Sequence, residues 1–235
     1  QPCEDSLAMN DAKSRVAVWD APVRLFHWSL VALFGFAWWS AEQGLGWMEW
    51  HMLAGEAILA LVAFRILWGF WGTRHARFTA FLRGPRGLLA DLGRLMRGRP
   101  EPHTGHGPVG GWMVVVLLLL VGVQAGSGLF AADDIFTEGP LVAAVSGDTV
   151  ELATWMHNVL FDILLWVVGL HVAAVVLFYP LVARTNLVTP MITGRKRLAV
   201  AGGSAQGFGW RVGLRALVLA ALCAAAVYGV VNGVG

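Results

Sequence analysis

Cysteine is nearly missing from this 235-residue sequence: Cys3 and Cys223 stand at opposite ends of the chain. That excludes a disulfide scaffold, a four-cysteine iron–sulfur cluster and the C-x-x-C-H attachment of a c-type haem. Charge is scarce as well. Asp, Glu, Lys and Arg make up 14% of residues and 57% are hydrophobic, whereas soluble domains carry about 25% charged residues. A chain so poor in charge must place more than half of its length where charge is costly, inside a membrane. The pI of about 8.8 is therefore not read as a sign of nucleic-acid binding. No constellation for hydrolysis or group transfer is found, nor any internal repeat or low-complexity tract.

Five apolar stretches reach spanning length, at roughly residues 25–41, 50–71, 112–130, 152–179 and 212–231. Their Leu, Val, Ala and Phe runs lack the period-two alternation of barrel strands, so each predicts a helix in contact with lipid. The expected fold is all-α and integral to the membrane. Residue 1 is Gln, Met9 is the candidate translational start with residues 1–8 a remnant without function, and residues 1–17 form a cytoplasmic tail. No small-x-small cleavage site follows the first stretch, which is expected to remain as an anchor.

All 17 Lys and Arg residues divide one way. Lys13, Arg15 and Arg24 precede the first stretch, and Arg74, Arg77, Arg83, Arg86, Arg94, Arg97 and Arg99 lie between the second and third. Arg184, Arg195, Lys196, Arg197, Arg211 and Arg215 lie between the fourth and the start of the fifth, and Arg65 is inside the second. The positive-inside rule then predicts a cytoplasmic N-terminus and a periplasmic C-terminus. The two outer loops carry Glu42, Glu49, Asp133, Asp134, Glu138, Asp148 and Glu151 instead, a negative face. Trp38, Trp39, Trp47, Trp50 and Trp155 fall at the outer interface and Trp68, Trp71, Trp112 and Trp210 at the inner. The arginine-rich segment 73–111 predicts a short amphipathic helix around 88–96 on the membrane surface.

Seven histidines organise the rest. His75, His103 and His106 belong to the cytoplasmic segment; His27, His51, His157 and His171 lie within the spans. His157 and His171 are 14 residues apart, nearly four helical turns, so they point the same way within roughly 40° and sit about 21 Å apart along one helix. His51 matches His157 in depth at the outer face, and His27 matches His171 at the inner. Zinc or a di-metal centre needs ligands converging on one point. Two level-matched imidazole pairs, with no cysteine or carboxylate completing either, suit two b-type haems. Gly35, Gly55, Gly122, Gly126, Gly128 and Gly169 would give a flat macrocycle room.

Val18-Trp19-Asp20-Ala21-Pro22-Val23-Arg24-Leu25-Phe26-His27-Trp28 resembles the opening of the bacterial cytochrome b561 and nickel–iron hydrogenase b-type cytochrome family. His51 with Gly55, Arg65-Ile66-Leu67-Trp68-Gly69-Phe70, Gly105-His106-Gly107-Pro108-Val109-Gly110-Gly111, Gly128-Leu129-Phe130, Gly139-Pro140-Leu141 and His157 with His171 extend the resemblance over about 18–194. It implies a four-helix transmembrane bundle holding two haem b, with ligands on the first, second and fourth helices, here His27, His51, His157 and His171. It also implies a bacterial inner-membrane cytochrome exchanging electrons with membrane quinone and with a periplasmic redox protein, such as a c-type cytochrome or a hydrogenase. The sequence departs from the pattern in a fifth span after a basic linker, within 195–235, and in Gly107, where Asn is expected. Superoxide oxidation with quinone reduction is the alternative within this class; a non-redox membrane anchor or transporter is the alternative outside it.

Arg65, 14 residues after His51, lies near the inner face, where it either pairs with a haem propionate or snorkels to the interface. Arg24 and Arg74 are further propionate candidates. Glu56 and Asp162, each five residues after a histidine of the outer pair, either relay protons or are solvated near the interface. His103 and His106 either protonate a quinone or structure their loop. Cys223 is expected to pack.

Overall fold

The computed structural model describes residues 14–99, 101, 103, 105–133, 137–182, 184–198 and 209–233. Residues 1–13, Asp134 and the linker stretch 199–208 lie outside the described residues.

A strand, β1 (Ser14–Ala17), leads into helix α1 (Ala21–Glu42), and a 3-10 turn (Leu45–Trp47) joins it to α2 (Met48–Trp71). Two shorter helices follow, α3 (Phe78–Phe81) and α4 (Pro85–Met96), before α5 (Pro108–Gly128). Helix α6 (Gly147–Ala173) continues through a π-helical stretch (Ala174–Phe178) into a last turn (Tyr179–Leu181). A short helix α7 (Val188–Thr193), strand β2 (Arg195–Leu198) and helix α8 (Trp210–Asn232) complete the order.

The start of α1 is fixed by chemistry the sequence displays. Pro22 pre-sets the first turn, and the Asp20 carboxylate caps it by accepting from Val23 N at 2.8 Å. The same buried carboxylate accepts from Trp68 Nε1 at 3.0 Å and Thr73 Oγ1 at 2.7 Å, binding the inner end of α2 to the start of α1.

Four helical segments are long and apolar enough to cross a membrane: Leu45–Trp71, Pro108–Gly128, Gly147–Leu181 and Trp210–Asn232. Helix α1, the expected first span, has 22 residues, about 33 Å at the α-helical rise, and so has the length. Its composition falls short because His27, Trp28, Ser29, Trp38, Trp39 and Ser40 dilute the apolar run. The fourth segment exceeds its expected bounds, and the helix expected around 88–96 starts at Pro85. Helix α4 docks inward through Asp91, which accepts from Val109 N at 3.1 Å, and leaves Leu89, Leu92 and Met96 exposed.

Helix α2 is central, packing against α1, α5 and α8; α6 packs along α5. Buried side chains of Val23, Phe26, Ile58, Val62, Phe64, Trp68, Leu118, Val121 and Leu164 form the core, and Cys223 of α8 packs against it as expected. Among the described residues, α6 makes no broad backbone contact with α1 or α2. Between the helix carrying His157 and His171 and the pair carrying His27 and His51 the backbones thus leave a slot crossed by side chains, among them Trp38 and Phe161, with ring centres 6.0 Å apart.

One feature was not foreseen. Strand β1 pairs antiparallel with β2, Val16 opposite Lys196 and Ala17 opposite Arg195. Gly194, at φ +76° in the left-handed region that favours glycine, turns its carbonyl to Val18 N and Trp19 N at 2.8 and 3.2 Å. Four-residue strands among basic residues carry no alternation that sequence reading could detect.

Candidate cofactor site

The outer histidines face one another across the slot: the His51 and His157 ring centres are 6.1 Å apart with planes at 84°. Each ring is held by a backbone carbonyl from a neighbouring helix. His51 Nδ1 lies 2.8 Å from Ala37 O of α1, and His157 Nδ1 lies 3.0 Å from Gln124 O of α5. A carbonyl can only accept, so Nδ1 carries the proton in both rings and Nε2 keeps its lone pair, the tautomer that binds a metal. Ser127 Oγ stands 3.4 Å from His157 Nδ1, and Gln124 Nε2 donates to His157 O at 3.0 Å. Gly128 forms a wall beside the ring, where a Cβ would lie 2.9 Å from His157 Cε1. Gln124 and Ser127 escaped sequence reading, though two polar residues in an otherwise apolar span were a signal.

At the inner face, His27, His171, Arg65 and His106 lie within electrostatic range of one another. His106 stacks near Trp19 and Phe81, with ring centres 4.5 and 5.3 Å away. Burial, and then the neighbouring Arg65, His171 and His27, push its pKa down to about 3, so it is neutral near pH 7. Arg65 is buried at 3% exposure, its guanidinium 5.2 Å from the Phe78 ring centre, and among the described residues its Nη1 has no hydrogen-bond partner. His27 Nδ1 and Arg24 Nε are likewise buried without partners among the described residues.

The other candidates separate from this cluster. Arg24 donates to Ile192 O beside the strand pair. His103 lies 3.7 Å from Asp91 and accepts at its carbonyl from Lys196 Nζ, which structures the segment between α2 and α5. His75 has its pKa lowered by burial and by Arg74. Glu56 lines an outer-face cavity of about 330 Å³ with Glu49 and Glu138. Gly55 lies one turn beyond His51 on the same face, and a Cβ there would meet nothing within 4 Å. Asp162 and Gly169 are exposed.

Among the described residues, no three His, Cys, Asp or Glu side chains gather as a metal site requires. An iron porphyrin needs only two protein ligands, because the macrocycle supplies four. Facing imidazoles with bare Nε2 atoms fit it, and the orphaned donor on Arg65 fits its carboxylates. Apolar spanning helices with imidazoles meeting across a slot define a membrane cytochrome b. The family model for prokaryotic cytochrome b561 matches residues 18–194, and the chain belongs to that family. Its members are membrane cytochromes that transfer electrons through b-type haem. Comparisons with curated proteins and with solved structures gave no match.

Proposed function

We propose that the chain moves electrons across a bacterial inner membrane through two b-type haems, between membrane quinone and a periplasmic redox protein such as a c-type cytochrome or a hydrogenase. His51 and His157 would hold the outer haem, and His27 and His171 the inner. The observation carrying this reading is the facing pair at 6.1 Å, with both Nδ1 atoms tied to backbone carbonyls. Bound between two imidazoles, b-type haem supplies a one-electron iron couple. Ala37 and Gln124 would fix the orientation of the outer ligands, and Arg65 would offer Nη1 to an inner propionate. Arg24, committed to Ile192, has its Nε left for the same purpose.

The proposed topology has five spans, N-terminus cytoplasmic and C-terminus periplasmic, with α1 included because its length suffices and the basic residues all divide to one side. The acidic outer loops would attract a partner through a basic patch and repel an anion, so they work against superoxide as the substrate. Spectroscopy tests the proposal. Wild type should give a reduced-minus-oxidised b-type α-band with two haems per chain, and His51→Ala or His157→Ala should retain one. Two haems in either variant, or none in wild type, would refute it.

A further inference from the structure

Asp162 makes no hydrogen bond or ion pair among the described residues and is exposed. It lies two residues from the middle of the 35-residue segment Gly147–Leu181, about 3 Å along the axis. Leu164, fully buried, marks the side of α6 that faces the bundle. Two residues turn the helix about 200°, so Asp162 points nearly opposite that side. A carboxyl near the centre of a membrane span ordinarily faces the bundle interior or water and has a partner. Here it faces outward.

The same face carries a seam. Trp155, Asn158, Asp162, Leu165, Gly169 and Val172 follow one another at spacings of three and four, the repeat that keeps two helices in contact along their length. Trp155 and Val172 are 60% and 50% exposed, Asn158, Asp162 and Gly169 are exposed as well and Leu165 is half-buried, so the chain's own packing leaves most of the seam uncovered. We propose that this face of α6 binds the same face of a second copy, forming a two-fold-symmetric dimer about an axis along the membrane normal.

The groups in the seam are self-complementary. Two copies inserted in the same direction bring equal depths together, so Asn158 of each can donate to the Asp162 carboxyl of the other one turn away. A foreign helix would have to bring a donor to the same depth, whereas a second copy already has it. Gly169 lets the backbones approach.

Single-molecule photobleaching of labelled protein, reconstituted at high lipid excess, counts chains directly. Wild type should bleach mostly in two steps. The double variant Asn158→Leu with Asp162→Leu should bleach mostly in one, its association weakened at least about tenfold, while keeping the wild-type haem spectrum as proof of folding. In a background of Cys3→Ser and Cys223→Ser, Trp155→Cys should form an intermolecular disulfide and Leu217→Cys, exposed on α8, should not. One-step bleaching by wild type, two-step bleaching by a folded double variant, or equal cross-linking at both positions would overturn the proposal. Haem content is read separately, so failure here leaves the electron-transfer reading intact.

Discussion

Replacing Gly128 by Ala tests the outer site without touching a ligand. The added methyl would sit 2.9 Å from His157 Cε1 and 3.1 Å from Nδ1, where ordinary contact begins near 3.4 Å. The ring would have to move by roughly half an ångström. It cannot turn freely, because Nδ1 is bound to Gln124 O at 3.0 Å. Overpacking of this kind costs about 1–3 kcal/mol, which lowers affinity for an outer haem about 5- to 150-fold at 1.4 kcal/mol per factor of ten. Helix propensity favours Ala over Gly by at most about 1 kcal/mol, so global stability should change little while the site loses occupancy. Haem-to-protein ratio and a redox titration resolve the two centres. Gly229→Ala, whose new methyl meets nothing within 4 Å, is the control. Full retention of both haems at wild-type affinity in Gly128→Ala would refute the geometry argued for His157.

Arg65→Met removes a buried cation and should lower the inner haem's midpoint potential, or its occupancy, in a redox titration; unchanged values at both haems would leave the arginine only a packing role. Asp20→Ala deprives Val23 N, Trp68 Nε1 and Thr73 Oγ1 of their acceptor and should cost about 2–4 kcal/mol, a cap plus one buried unsatisfied donor, seen as a fall in Tm, with Asp20→Asn recovering part of it. His106 takes up a proton near pH 6.5 when unfolded but only at about 3 when folded, so its contribution to stability is lost as pH falls below about 6.5. His106→Gln should therefore show a shallower fall in Tm between pH 6.5 and 4 than wild type.

That His51 and His157 share a level was legible because polar residues are rare in apolar runs and depth along a helix follows from counting residues, and their rings do face one another. What could not be counted was the contact between helices: that Ala37 O and Gln124 O face the rings, or that Gly128 forms the wall behind His157, depends on how α1, α2, α5 and α6 rotate against each other. Asp20 stood in a recognised motif, yet its bonds to Trp68 and Thr73 join residues some fifty positions apart. Helix α1 illustrates the converse. Its tryptophans and His27 weaken the apolar signal in the helix that carries a proposed ligand.

The pairing of β1 with β2 imposes an order on assembly. Ser14–Ala17 leaves the ribosome first, but its partner strand is Arg195–Leu198, and the bonds from Arg24 and Trp28 reach residues 168 and 163 positions later. The N-terminal helix must therefore wait in the membrane with these groups unmet until α6 has been made and inserted. Contacts of such long range form slowly and late. Closure of the strand pair thus marks completion of the 18–194 unit, and α8 is added to a bundle whose beginning and end have already been joined.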